Sequence, residues 1–162
     1  MFRKYVFPLI LATSALAFCS LASAQMPNLY GAPINAENAK KAAAAALAEA
    51  KKSNWTMAAA VTDANGALVF FEKMDGTQTG SVDVAIGKAR SAALFKRPTK
   101  VFQDVVAGGG EGLRILALQG AVPIEGGLPL LMDGKIVGAI GVSGGSSTQD
   151  GVAAKAGMEA LK

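Results

Sequence analysis

Gly126-Gly127-Leu128-Pro129-Leu130-Leu131-Met132-Asp133-Gly134-Lys135-Ile136-Val137-Gly138-Ala139-Ile140-Gly141-Val142-Ser143-Gly144-Gly145 is the stretch that decides the fold. Asp133-Gly134 has the composition of a tight hairpin turn, whose central positions need positive φ. Its flanks, Leu128–Met132 and Lys135–Val142, are therefore predicted as antiparallel strands. The second strand carries Gly138 and Gly141 and runs into Gly144 and Gly145. Glycine weakens a strand interior, so its recurrence marks a bend or a close approach by a ligand or another backbone. The Gly/Ser loop Ser143–Thr148 then opens a helix predicted over Gly151–Leu161.

Working back toward the N-terminus, the same grammar recurs. Asp63-Ala64-Asn65-Gly66 is a second hairpin signal, between a buried strand Met57–Thr62 and a partner Leu68–Lys73. Asn35 is a good N-cap for an alanine-rich helix over Ala36–Lys52, with Ala39, Ala42, Ala43, Ala46, Leu47 and Ala50 on one face. Ser81 is placed as the cap of a helix over Val82–Phe95, with Val82, Ala85, Ile86, Ala89, Ala93 and Leu94 inward and Lys88, Arg90 and Lys96 elsewhere. Thr99 is placed as the cap of a short helix over Lys100–Val106, Gly108-Gly109-Gly110 as a connector, and Ala121–Glu125 as a further strand. Hairpins imply antiparallel pairing, so the class is α+β, helices on an antiparallel sheet.

The first residues read as a leader. Arg3 and Lys4 precede an apolar run from Val6 to Ala22, and Ala22-Ser23-Ala24 has the small-x-small form of a cleavage site. Residues 1–24 are predicted to be a secretory signal peptide and 25–34 an extended arm bearing Pro27 and Pro33. Residues 35–162 form one domain, in a periplasmic or secreted protein with no stable membrane anchor. The sole cysteine, Cys19, follows Phe18 rather than the small residue a lipidation site favours, and it leaves with the leader. The remaining chain then has no disulfide, thiol nucleophile or thiolate metal site. The formal charge of +4 includes Arg3 and Lys4, and no basic stripe with interleaved aromatics marks a nucleic-acid surface. The absence of histidine removes the commonest general base, metal ligand and haem ligand together.

Four spaced motifs carry a family resemblance. They are Phe71-Glu72-Lys73-Met74-Asp75-Gly76, then Lys88-Ala89-Arg90-Ser91-Ala92-Ala93-Leu94-Phe95 with Arg97-Pro98-Thr99, then Gly126-Gly127-Leu128-Pro129, then Val137–Gly144 with Gln149-Asp150 and Ala156-Gly157. In this order, over Ile34–Leu161, the chain resembles the GlcG/HbpS family, which includes the C-terminal domain of PduO-type proteins. The resemblance implies a GlcG-like, five-stranded antiparallel sheet flanked by helices, with profilin-like layering. It also implies homo-oligomeric assembly and a small-ligand role, haem or a related tetrapyrrole among the ligands. Relatives often carry histidine after the first hairpin glycine, where this chain has Ala67 after Gly66. Any haem here is therefore held without a histidine ligand. The side chains with precedent as iron ligands are Tyr30, Met26, Met57, Met74, Met132 and Met158.

The candidate site residues each have two readings. Ser143, Gly144, Gly145 and the helix start that follows can hold an anion, or Asp150 can cap the same donors. Lys88 and Arg90 can bring positive charge to a pocket, or serve a solvated face or an intersubunit salt bridge. Arg97 can fork onto a carboxylate or fix its loop. Met74 can pack on a flat ligand or on the core. Glu125, before Gly126 and Gly127, is the candidate general base, or a capping or interface group. Gly141-Val142-Ser143-Gly144-Gly145 matches a nucleophile elbow in form, yet without histidine no triad can be assembled. Three functions follow: a ligand-binding protein, an enzyme acting on a small carboxylate or carbonyl compound, and an oligomeric accessory subunit whose glycine-rich strand packs on its neighbour.

Overall fold

A computed structural model describes residues 28–162. The elements run α1 (Ala36–Lys52), β1 (Ala58–Asp63), β2 (Leu68–Lys73), α2 (Ser81–Leu94), α3 (Thr99–Ala107), a 3-10 helix (Gly110–Ala117), β3 (Gly127–Met132), β4 (Lys135–Ser143) and α4 (Ser147–Glu159). The leader, Cys19 and Met26 lie outside the described residues.

The four strands form one antiparallel sheet in the order β2-β1-β4-β3. The two hairpins thus meet through β1 and β4, which pair from Ala58 with Ser143 to Asp63 with Gly138. Both central strands are covered on both faces, which is why Ala58-Ala59-Ala60-Val61 shows no polar alternation. One face packs on α1 and α4, around Met57, Ala59, Val61, Leu130, Ile140 and Val142. The other lies under α2, where Ala58 and Ala60 meet Ala85 and Ala89, and Ala139 meets Ala92 and Ala93. This second layer is built almost wholly of alanine and glycine, so helix and sheet approach closely. A Cβ on Gly141 would run into Ala85 O and Ala89 N.

Local signals explain most boundaries. Asn35 caps α1 by accepting from Asn38 N at 2.9 Å, and the six residues expected on the inner face are the six buried ones. Asp133 and Gly134 both take positive φ, 49° and 72°. Asp63 fixes the first hairpin by accepting from Asn65 N and Ala67 N.

Five expectations are corrected. Ala121–Glu125 is not a strand, and the sheet has four strands rather than five. Pro123 supplies no donor, while Val122 N donates to Ser91 Oγ and Glu125 N to Gln103 Oε1, so side chains hold this segment where a neighbouring strand would otherwise do so. Ser81 is the first residue of α2 rather than its cap, and Gly80 stands at the cap position. Thr99 begins α3 and Pro98 precedes it; the Thr99 hydroxyl accepts instead from Gly127 N at 2.9 Å. The last helix starts four residues early because Ser146 and Gln149 form a reciprocal capping box. The buried face of α2 includes Lys88, while Leu94 is exposed.

The arm also joins the sheet. Beyond the end of β1, Ile136 N donates to Leu29 O, Gly31 N to Ile136 O and Ile34 N to Val137 O, each at 2.8 Å. Tyr30 anchors this graft, its hydroxyl donating to Ala93 O at 2.9 Å at the end of α2.

Candidate functional site

The glycine pair at the start of β3 lies at a junction of four elements. Beneath it, Lys88 of α2 is fully buried, with its ammonium 2.7 Å from Asp150 Oδ2 of α4 and 3.0 Å from Val142 O of β4. Asp150 is 3% exposed, and its other oxygen accepts from Gly145 N at 3.0 Å. Burial lowers the Lys88 pKa from its ordinary value, and the Asp150 hydrogen bond and charge oppose that shift. Burial raises the Asp150 pKa, opposed by Lys88 and by the backbone of Gly145 and Gly144. Gly126 covers this pair. Its φ is +124°, and a Cβ there would stand 2.8 Å from Asp150 Cβ and 2.9 Å from Lys88 Nζ. Gly127 lies as close to the Lys88 carbonyl and the Thr99 methyl. Only glycine fits either position.

On the outer side of the same glycines is a cleft of about 380 Å3 lined by Pro98, Lys100, Glu125, Gly126, Gly127, Leu128, Gly151, Lys155 and Met158. Its walls come from the start of α3, the start of β3 and one face of α4. Leu128, Pro98 and Met158 supply apolar surface, Lys100 and Lys155 two cations, and Glu125 one carboxylate. Gly151, Lys155 and Met158 follow the four-then-three spacing that puts residues on a single helix stripe. The absent side chain at Gly151 admits Glu125, whose Oε1 lies 2.5 Å from where a Cβ would stand. The charge of Glu125 reaches both Lys88 and Lys100. The Lys100 pKa is raised chiefly by its hydrogen bond to Asp104.

The structure thus brings together Lys88, Glu125, Gly126, Gly127, Gly145 and Asp150. The anion reading of the Ser143–Thr148 loop meets donors already engaged: Gly145 N by Asp150, Ser146 N by Gln149 Oε1, and Gln149 N by Ser146 Oγ. Ser143 turns toward α2, where its hydroxyl donates to Ser81 Oγ, and it makes no bond to Lys88. Lys88 is on no solvated face, because Asp150 lies directly opposite it. Arg90 is exposed against the Gly66 turn, away from the cleft. Arg97 Nε donates to Phe95 O and its guanidinium stacks over Phe102, a loop-fixing role. Met74 packs on the core beside a separate hollow with Leu47, Lys51, Glu72 and Asp75. Gly138 and Gly141 are closed by Ile34, Thr62, Ala85 and Ala89 of the same chain, so the glycine-rich strand is interior and offers no face to a neighbour.

Sequence reading missed Pro98, Lys100, Leu128, Gly151 and Lys155 as cleft residues. The stripe on α4 was the available signal. Among the described residues no group of three His, Cys, Asp or Glu side chains gathers to hold a metal ion, and no helix is long and apolar enough to cross a membrane.

Comparison with known proteins agrees with this architecture. Protein GlcG of Escherichia coli K12 is 38% identical over 100 residues, covering 62% of this chain and 73% of that one. A crystal structure described as a PduOC–haem complex superposes with a TM-score of 0.72 at 29% identity, covering 80% of this chain and 96% of that one. A double mutant of HbpS from Streptomyces reticuli gives 0.75 at 27% identity, covering 98% and 99%. The family model described as "Haem degrading protein HbpS-like" matches residues 34–159, from the end of the arm through the last turn of α4. With the glycine pair, the central hairpins and the α4 stripe all inside that span, the chain belongs to the HbpS-like family.

Proposed function

We propose that this chain is an exported binding protein that holds a flat, carboxylate-bearing ligand of the haem or related tetrapyrrole class in the cleft between α3 and α4. The observation that carries the reading is the make-up of that cleft: an apolar floor with a cation on each wall, Lys100 and Lys155. A porphyrin presents the complementary pattern, a broad apolar face with peripheral carboxylates. The matching family is described as haem degrading and the similar PduOC structure is a haem complex, which supports the choice of class.

The donor set fits such a group in one way. The chain contains no histidine, so the groups that would hold it are Leu128, Pro98 and Met158 as apolar surface and Lys100 and Lys155 as cations for its carboxylates. Haem, when bound, would supply visible absorption and one-electron iron chemistry. The protein's part is to bind it, orient it and screen one face from water. Export rests on the leader read in residues 1–24. The packed α3 and 3-10 segments leave Val101, Val105, Leu113 and Leu116 exposed, which favours a homo-oligomer. Light scattering tests this part: a monomer at all accessible concentrations removes it.

The test of the binding reading is titration of the purified protein with haemin, followed at the Soret band. A saturable, stoichiometric red shift is expected. A spectrum identical to haemin in buffer at micromolar protein overturns the reading.

A further inference from the structure

The six side chains with precedent as iron ligands are distributed unequally: Met132 and Met74 line hollows elsewhere, and within the cleft assigned to haem only Met158 is found among those described. Met57 is fully buried in the core formed with α1 and α4. Met74 borders the hollow between α1 and β2. Met132 lies by the β3–β4 turn, where its sulfur accepts from Asn38 Nδ2 at 3.9 Å. Tyr30 uses its phenol to tie the arm to α2, donating to Ala93 O, and burial raises its pKa, which disfavours the phenolate that iron would need. Met26 lies outside the described residues. Met158 alone among those described lines the cleft, half-buried, one turn beyond Lys155 and two beyond Gly151.

We propose that the Met158 thioether is the axial donor to the iron of a haem bound in this cleft, so that the chain favours ferrous over ferric haem. The proposal rests on the haem reading above and adds the identity of the donor. A neutral, polarisable sulfur suits the softer ferrous ion, and thioether ligation raises the reduction potential of haem iron. The cleft holds one competitor, the Glu125 carboxylate, a hard anionic oxygen that would favour ferric iron instead. The two donors sit on different walls, Met158 on α4 and Glu125 on the segment before β3. They therefore predict opposite redox preferences and separate responses to mutation.

The experiment measures haem affinity in both oxidation states, the visible spectrum and the reduction potential of wild type, Met158→Leu, Met158→His and Glu125→Gln. The leucine variant is close in volume, and thermal unfolding checks that each variant folds. With Met158 as donor, the oxidised, ferric form of wild type shows the far-red sulfur-to-iron charge-transfer band. Met158→Leu loses that band, lowers the potential and weakens ferrous haem binding by about tenfold or more, the scale of losing a group that supports a metal ligand. Met158→His restores tight binding with an imidazole-type spectrum. Glu125→Gln leaves the band in place, while the loss of one carboxylate in the cleft raises the potential. Haem binding by wild type with a spectrum and potential unchanged in Met158→Leu overturns the donor assignment alone. Loss of the band in Glu125→Gln but not in Met158→Leu does the same. No haem binding by wild type overturns the cleft reading and this inference with it.

Discussion

Gly126 and Gly127 divide two regions that use the same kinds of side chain in opposite ways. On the inner side, one ammonium and one carboxylate are removed from water and locked to each other, Lys88 to Asp150, with Val142 O and Gly145 N completing their bonds. On the outer side, two ammonium groups and a carboxylate line an open apolar cleft. Lys100 there is half-exposed and linked to Asp104, while Lys155 stands 3.9 Å from Glu159, too far for a firm bond. The inner charges hold three elements in register and have little capacity left for a ligand. The outer charges contribute little to stability and remain able to change partners. A charged residue near a pocket is thus not by itself a pocket residue; its partner and its exposure decide.

The largest effect expected from breaking this contrast is at the inner pair. Lys88→Ala leaves Asp150 buried without its partner and should cost about 3–5 kcal/mol in chemical denaturation. Replacing both, Lys88→Met with Asp150→Leu, should recover most of that loss, with about 1 kcal/mol remaining for the acceptor withdrawn from Gly145 N. A single variant as stable as wild type would mean that the pair is not closed.

Gly126→Val comes next, because it strikes both regions at once. The new side chain meets Asp150 Cβ and Lys88 Nζ and takes an unfavourable φ, so stability should fall by about 1–3 kcal/mol. Haem affinity should fall with it, since Gly126 also lines the cleft. Loss of one without the other would show that the two regions do not share this wall.

Salt gives the smallest and most selective change. Raising ionic strength from about 0.1 M to about 1 M shortens the screening length from roughly 10 Å to 3 Å. Haem affinity should drop severalfold, and should do so less in Lys100→Ala with Lys155→Ala. The stability difference between wild type and Lys88→Ala should stay nearly constant, because the buried pair is out of reach of the ions. Equal salt sensitivity in both would erase the distinction.

What was legible in the sequence follows from how local each feature is. Asn35, Asn65-Gly66 and Asp133-Gly134 carry their structural instruction within a few residues, so α1 and both hairpins were readable. The apolar run Ala121–Glu125 misled because its backbone donors are met by Ser91 and Gln103, acceptors far away in the chain. Lys88 read as solvated because nothing near it indicates burial; its partner lies 62 residues on. The same holds for the cleft. Gly126 and Gly127 stood out, but the walls that face them come from α3 and α4 and are assembled only by the fold. Met158 could be named as a thioether, while its place in the same cleft as Leu128 could not.

The most direct measurement is an amide chemical-shift map with zinc protoporphyrin, a diamagnetic stand-in for haem, added to the labelled full-length protein. The largest shifts should fall on Lys100, Gly126, Gly127, Leu128, Gly151, Lys155 and Met158, with Lys88 and Asp150 moving less. Shifts centred instead on the hollow of Gly31, Asn38, Met132 and Val137, or on that of Leu47, Glu72 and Met74, would contradict the assignment of the cleft.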